Sequence, residues 1–136
     1  MNTRLRAVTI TASVIGLINM AHAAELTGAE IKTFLSGKTA YLETTAASAA
    51  GVAGNVVIYW AEDGTTLYKT PSGTIMHGKW EIKGNTHCAE WKERPGTACV
   101  RYDKTADSAT VIDAASGKVR AKIVKTAAGN AEKLMP

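Results

Sequence analysis

Histidine, cysteine and phenylalanine are scarce in this chain: three, two and one residues in 136. No group of His, Cys, Asp or Glu has the spacing of a metal site, so no metal is expected. The glycines are scattered about one per turn, and none forms a loop that cradles phosphate. No Ser carries the surroundings of an activated hydroxyl. Ten residues lie between the two cysteines, unlike a redox C-x-x-C pair. Charge of one sign is not in excess locally. Lys and Arg number 16 against 12 Asp and Glu, but the signs are interspersed, with no basic run to follow a nucleic-acid backbone. No catalytic residue, cofactor or nucleic-acid partner is therefore expected.

The one long apolar run is N-terminal. Arg4 and Arg6 precede an uncharged stretch over residues 7–21, and Ala21-His22-Ala23 has the A-x-A form of a cleavage site. These features predict a signal peptide over residues 1–23 and a mature domain over 24–136. The run is shorter than the ~20 apolar residues of a membrane span and is broken by Gly16 and Asn19, so the mature form is expected off the membrane. Periplasmic or secreted location follows. Arg4 and Arg6 leave with the leader, so the mature domain is closer to neutral than the formal +4.

In an exported chain two cysteines read as a disulfide, Cys88–Cys99. Closing so short a loop stabilises by about 3 kcal/mol in the loop-entropy model.

The mature region reads as a β-meander with one helix. Thr27-Gly-Ala-Glu30 is a capping box. Leu26, Ile31, Phe34 and Leu35 follow a helical stripe that Gly37 ends, predicting a helix over 28–35. Strands are expected at 39–43, 55–61, 65–70, 74–83, 86–91, 97–102, 108–114 and 118–125, separated by Gly-, Pro-, Asp- and Ser-rich turns. Residues 44–54 (TTAASAAGVAG) lack charge and period and read as a loop or a frayed extension, the best candidate for mobility in the chain. The C-terminal tail shows no element. The predicted fold is mainly β: a small antiparallel meander curled into a partly closed barrel, with one short N-terminal helix.

Two independent arguments fix the register of the central strands. A two-residue turn at Gly84-Asn85 opposes Ile82 with His87 and Trp80 with Ala89. A disulfide between neighbouring strands opposes Cys88 with Cys99, and hence His87 with Val100. Both put Trp80, Ile82, His87, Ala89, Trp91, Ala98, Val100 and Tyr102 on one face, and a slip of one residue would destroy that face. The disulfide is thus expected outside and the tryptophans inside.

Two other turns extend the same rule. Asp63-Gly64 as a two-residue turn would pair Trp60 with Leu67 and Tyr59 with Tyr68, leaving open which pair faces the core. Ser116-Gly117 would group Thr110, Ile112 and Ala114 with Val119, Ala121 and Ile123.

The aromatics are the remaining functional lead. Trp60, Trp80, Trp91 and Tyr102, with His87 among them, are the candidate ligand-binding residues of an aromatic-lined face or pocket. In a barrel this small and a chain this short, the commoner meaning of the pattern is an interior filled by its own side chains. His77 falls on the opposite side, so the two histidines do not form a site. Glu62, Asp63, Glu90, Glu93, Asp103 and Asp107 read as solvated turn or surface carboxylates. A non-enzymatic binding protein is expected, its partner a small apolar ligand or a periplasmic protein.

The order Tyr59-Trp60-x-x-Asp63-Gly64-Thr65, Gly78-x-Trp80, Cys88-x-x-Trp91 and Cys99 resembles a family of small exported proteobacterial proteins, domain of unknown function 995. The likeness runs over about residues 26–125. It implies an exported β-rich domain and no established activity. Ser36-Gly37 followed by Tyr41 is a fragment similar to the motifs of small periplasmic lysozyme inhibitors, which are also disulfide-stapled β-barrels. Here the fragment sits at a helix end. That likeness implies the alternative function, an inhibitor of or partner to a cell-wall hydrolase.

Overall fold

The computed structural model describes residues 23–106 and 108–136. The predicted leader lies outside the described residues except for Ala23. The elements run β1 (Ala24–Glu25), α1 (Gly28–Leu35), β2 (Lys38–Thr44), β3 (Gly54–Trp60), β4 (Thr65–Lys69), β5 (Ile75–Lys83), β6 (Thr86–Trp91), β7 (Arg94–Thr105), β8 (Ser108–Asp113) and β9 (Val119–Ala128).

Strands β2 to β9 each pair antiparallel with the next, and β9 returns to pair with β2. The barrel is therefore closed, further than the expected partial closure. The reason lies in β2, which is hydrogen-bonded along its whole length to β3 on one side and β9 on the other. No edge is left on either strand to template aggregation. The two-residue β1 pairs with β7 at Lys104 and Asp103, beyond the point where β6 ends.

The central register is the expected one. Ile82 opposes His87, Trp80 opposes Ala89, and Cys88 opposes Cys99. Alternation then sends His87, Ala89 and Trp91 inward, and the disulfide joins Cys88 to Cys99 on the outer face. Cys88 is nonetheless covered, at 1 % exposure.

Gly78 is required by this arrangement. It opposes Trp91, and a Cβ there would come within 2.8 Å of the Trp91 ring and 2.4 Å of the Glu90 carbonyl oxygen. The missing side chain is the space the indole occupies.

Two registers differ from expectation. The β3–β4 turn is longer than two residues. Asp63 accepts hydrogen bonds from the backbone N–H and hydroxyl of Thr65, and the Ala61 N–H closes on the Thr65 carbonyl. This side-chain-stabilised turn shifts the pairing by one, so Trp60 opposes Thr66 and Ile58 opposes Tyr68. Neither proposed pair exists: Trp60 and Tyr68 both point inward, and Tyr59 and Leu67 are only half-buried.

The β8–β9 turn starts at Asp113, whose carboxylate accepts from the Ala115 and Ser116 amides. Val111 pairs with Ala121 but Ile112 with Val119, so Arg120 is the extra residue of a bulge. The core set is therefore Ala109, Val111, Ala121 and Ile123. Ala114 and Val119 are exposed and Thr110 is half-buried; Ile112 is buried outside the main core.

The helix closes one end of the barrel. Thr27 and Glu30 form the expected capping box. Ile31 and Leu35 are fully buried. Gly28 donates its backbone N–H to Asn85 at 2.9 Å, and a Cβ on it would lie 2.1 Å from the Gly84 carbonyl oxygen. The tail also docks at this end: β9 runs on to Ala128, and residues 129–136, which form no helix or strand as expected, are nonetheless tied down. Thr39 donates to the Gly129 carbonyl and accepts from the Ala131 N–H, Gly129 donates to Gly37, and Leu134 is buried.

Two stability outcomes are expected. Gly78→Ala should cost about 1–3 kcal/mol through overpacking, read as a lowered denaturant midpoint with unchanged slope. Reduction of the Cys88–Cys99 disulfide should cost about 2–3 kcal/mol, lowering Tm by roughly 10 °C. A Tm unmoved by reductant, with free thiols titrated to completion, would refute the structural role of the bridge.

Candidate functional site

The inner faces of β3, β4, β5, β6 and β7 converge on one aromatic cluster. The Trp60 ring lies 4.3 Å from His87, 6.0 Å from Trp80 and 6.3 Å from Trp91, centre to centre. Tyr68 meets Trp91 edge-on at 5.4 Å. His87 stacks on Tyr102. Edge-to-face pairs of this kind add to the stabilisation from area burial. All five sequence-selected residues, Trp60, Trp80, His87, Trp91 and Tyr102, are thus buried and brought together.

Their polar atoms are treated unequally. Trp80 donates its indole N–H to the Ala61 carbonyl at 2.9 Å. The Nδ1 atom of His87 is 2.7 Å from the Tyr102 hydroxyl. His87 Nε2 and the Tyr68 hydroxyl are buried without a hydrogen-bond partner. The Tyr68 hydroxyl is near Ser48 and the Ala50 amide, but in neither case is the geometry that of a hydrogen bond. Leaving such a group unpaired costs about 1–3 kcal/mol.

The barrel interior is mostly filled, and a cavity of about 60 Å³ remains beside the cluster. Trp60, Tyr68, His87, Trp91 and Tyr102 form its aromatic wall; Trp80 does not reach it. Leu42, Ile58, Val100, Val111 and Ala121 supply aliphatic wall. It lies toward the end opposite the helix, where residues 45–53 fold across the opening. Ser48 of this flap is buried, and Ala49 and Ala50 pack on the core.

The flap, expected as a mobile loop, is pinned at several points. Ser48 donates its hydroxyl to the Val52 carbonyl. Thr45 donates to the Val119 and Arg120 carbonyls. Arg120 donates from Nε to the Ala47 carbonyl at 2.8 Å, and the same Nε is 3.5 Å from the Asp113 carboxylate.

Tyr68, Ser48 and Arg120 are among the lining residues that sequence reasoning did not select. Tyr68 and Arg120 were hidden by the two shifted registers. The Asp63-x-Thr65 and Asp113-x-x-Ser116 spacings, each able to hold a longer turn through an aspartate side chain, were the available signals. Nothing in the flap sequence singles out Ser48.

Outside the barrel, His77 forms a surface pair with Glu93 at 2.7 Å, on the face opposite His87. Among the described residues no group of three or more His, Cys, Asp or Glu side chains could hold a metal. No described helix is long and apolar enough to cross a membrane.

The sequence matches no protein-family model, and searches of curated proteins and of solved structures return no match. Fold and site geometry are therefore the ground for a functional reading.

Burial depresses the His87 pKa from 6.5 to about 3. Between those values the unfolded chain binds a proton that the folded protein does not. The stability linked to neutral His87 is fully present above pH 6.5 and is lost as pH falls toward 3. The loss should be roughly 4 kcal/mol. Urea unfolding of wild type and His87→Gln across pH 3.5–7 should give a steeper loss for wild type, since the lowered carboxylates are common to both proteins.

Proposed function

We propose that this is an exported, non-enzymatic periplasmic protein that binds a small, mostly apolar molecule inside its barrel. One observation carries the reading. Two buried polar atoms without protein partners, His87 Nε2 and the Tyr68 hydroxyl, belong to residues in the wall of one aromatic cavity. A purely structural core has no need of such atoms, whereas a ligand site uses a few convergent polar groups in an apolar wall.

Size limits the ligand. A cavity of about 150 Å³ accommodates benzene, and this one has about 60 Å³. The ligand is a molecule of a few heavy atoms, or the end of a longer one admitted by displacement of the flap. Eight-stranded barrels suit such use, since their interiors are either just filled or hold one small ligand. The disulfide and the predicted leader support export. The spaced Gly78-x-Trp80 and Cys88-x-x-Trp91 motifs support kinship with the proteins of domain of unknown function 995 as part of the same proposal.

The alternative, inhibition of a cell-wall hydrolase, has less behind it. Ser36 caps α1 and Gly37 donates its N–H to Trp60, so the Ser-Gly fragment is tied into the fold. The 45–53 flap folds over the barrel end and does not project.

Native mass spectrometry of the protein taken from its own periplasm tests the proposal. A retained small molecule, lost in a Trp91→Ala variant that keeps the fold, is expected. A bare monomer, or one carrying only water, would remove the ligand-binding reading; a co-purifying protein would favour the alternative.

A further inference from the structure

We propose that the ligand is uncharged and presents a hydrogen-bond acceptor, a carbonyl or ether oxygen, to the Nε2–H of His87. This rests on the ligand-binding reading above and gives the chemical class of the molecule.

The Tyr102 hydroxyl is buried, and its hydrogen-bond contact is His87 Nδ1, at 2.7 Å. Suppose the imidazole carries its proton on Nδ1. That N–H then donates to the phenol oxygen, and the phenol proton is left without an acceptor. Suppose instead that the proton is on Nε2. The phenol then donates to the Nδ1 lone pair, and both groups are satisfied across that contact. The first arrangement leaves two unmet needs, the phenol proton and the Nε2 lone pair. The second leaves one, the Nε2–H. Burial holds the ring neutral, so a doubly protonated ring is not a third choice. The tautomer with Nε2–H follows, and with it a buried, unpartnered donor on a residue that lines the cavity.

What else could receive that donor is limited. Trp60 stands edge-to-face with the imidazole, and an indole face is a weak acceptor at best. The hydroxyls of Thr44 and Ser48 donate to backbone carbonyls and keep lone pairs, but neither stands within hydrogen-bonding reach of Nε2. The Tyr68 hydroxyl is the second unpartnered atom and can also donate to a ligand oxygen.

Charge points the same way. The one ionised side chain in the wall, Arg120, donates to the flap carbonyl of Ala47 and is paired with Asp113. An anionic ligand would have to compete with that carboxylate. A cationic ligand would find no carboxylate in the wall. A saturated hydrocarbon would fill the space and leave Nε2–H unpaired. A small ketone, ester or ether meets all these conditions together.

The test uses the oxidised mature protein, labelled with ¹⁵N, and four probes of similar size: acetone, isobutane, propionate and propylammonium. Imidazole ¹⁵N spectra are expected to show His87 protonated at Nε2 in the free protein. Acetone should shift that resonance and bind about tenfold more tightly than the other three. In Tyr102→Phe the phenol that fixes the tautomer is gone, so the ratio of acetone to isobutane affinity should fall most of the way to one, whatever the change in absolute affinity. An Nδ1–H tautomer overturns the inference. So does equal binding of acetone, isobutane and the charged probes, or an acetone preference unchanged in Tyr102→Phe; in each of these cases ligand binding itself survives. Failure of all four probes to perturb His87 or Trp91 resonances removes the ligand-binding reading, and the acceptor assignment with it.

Discussion

The pairing of β5, β6 and β7 is the constraint from which the rest of the molecule follows. Its register is pinned twice, by the tight turn at Gly84-Asn85 and by the Cys88–Cys99 cross-link. Because side chains alternate across a strand, one register decides every residue's side at once. It puts sulfur outside and indole inside. It brings Gly78 opposite Trp91, so that a missing side chain on one strand receives a ring from the next. It also sets His87 against Tyr102, the contact on which the cavity's chemistry turns.

The interior combines tight packing with incomplete polar satisfaction. Three tryptophans, two tyrosines and a histidine pack together inside a barrel of eight strands, beside an aliphatic core. One of their hydrogen-bonding needs is met by a backbone carbonyl and another by a neighbouring ring, while Nε2 of His87 and the Tyr68 hydroxyl remain unmet. The cover over this region is made of small residues. Ala49 and Ala50 bury little apolar area each, at roughly 0.8 kcal/mol per methylene-sized group. The flap is therefore held mainly by its hydrogen bonds to β9 and to itself. A lid held by such contacts is weak relative to the wall it covers.

Much of the fold was legible because hydrophobic alternation and turn chemistry agreed. The helix was readable from its capping box, the strands from their β-branched runs, and the central face from two coincident registers. The candidate site was legible in its aromatic members for the same reason. What the sequence concealed traces to single residues. Asp63 and Asp113 each use a carboxylate to stabilise a longer turn, and each shifts a register by one. Those shifts decide that Tyr68 faces inward and that Arg120 is extruded toward the flap. Docking of the tail depends on Thr39, which both donates and accepts at one hydroxyl, and no local pattern announces a contact across ninety residues of chain.

The seating of both described chain ends has a practical corollary. The β1 strand runs beside the far part of β7, and the final segment is tied to Gly37 and Thr39, so entry and exit of the backbone share the helix-plugged pole. The flap-covered pole carries neither. A fusion partner, surface tether or affinity handle joined directly before Ala24 or after Pro136 would sit on the far side of the molecule from the aromatic chamber. Such attachment would leave access beneath the flap unobstructed, so the protein can be immobilised by its ends without masking the region where a guest would enter.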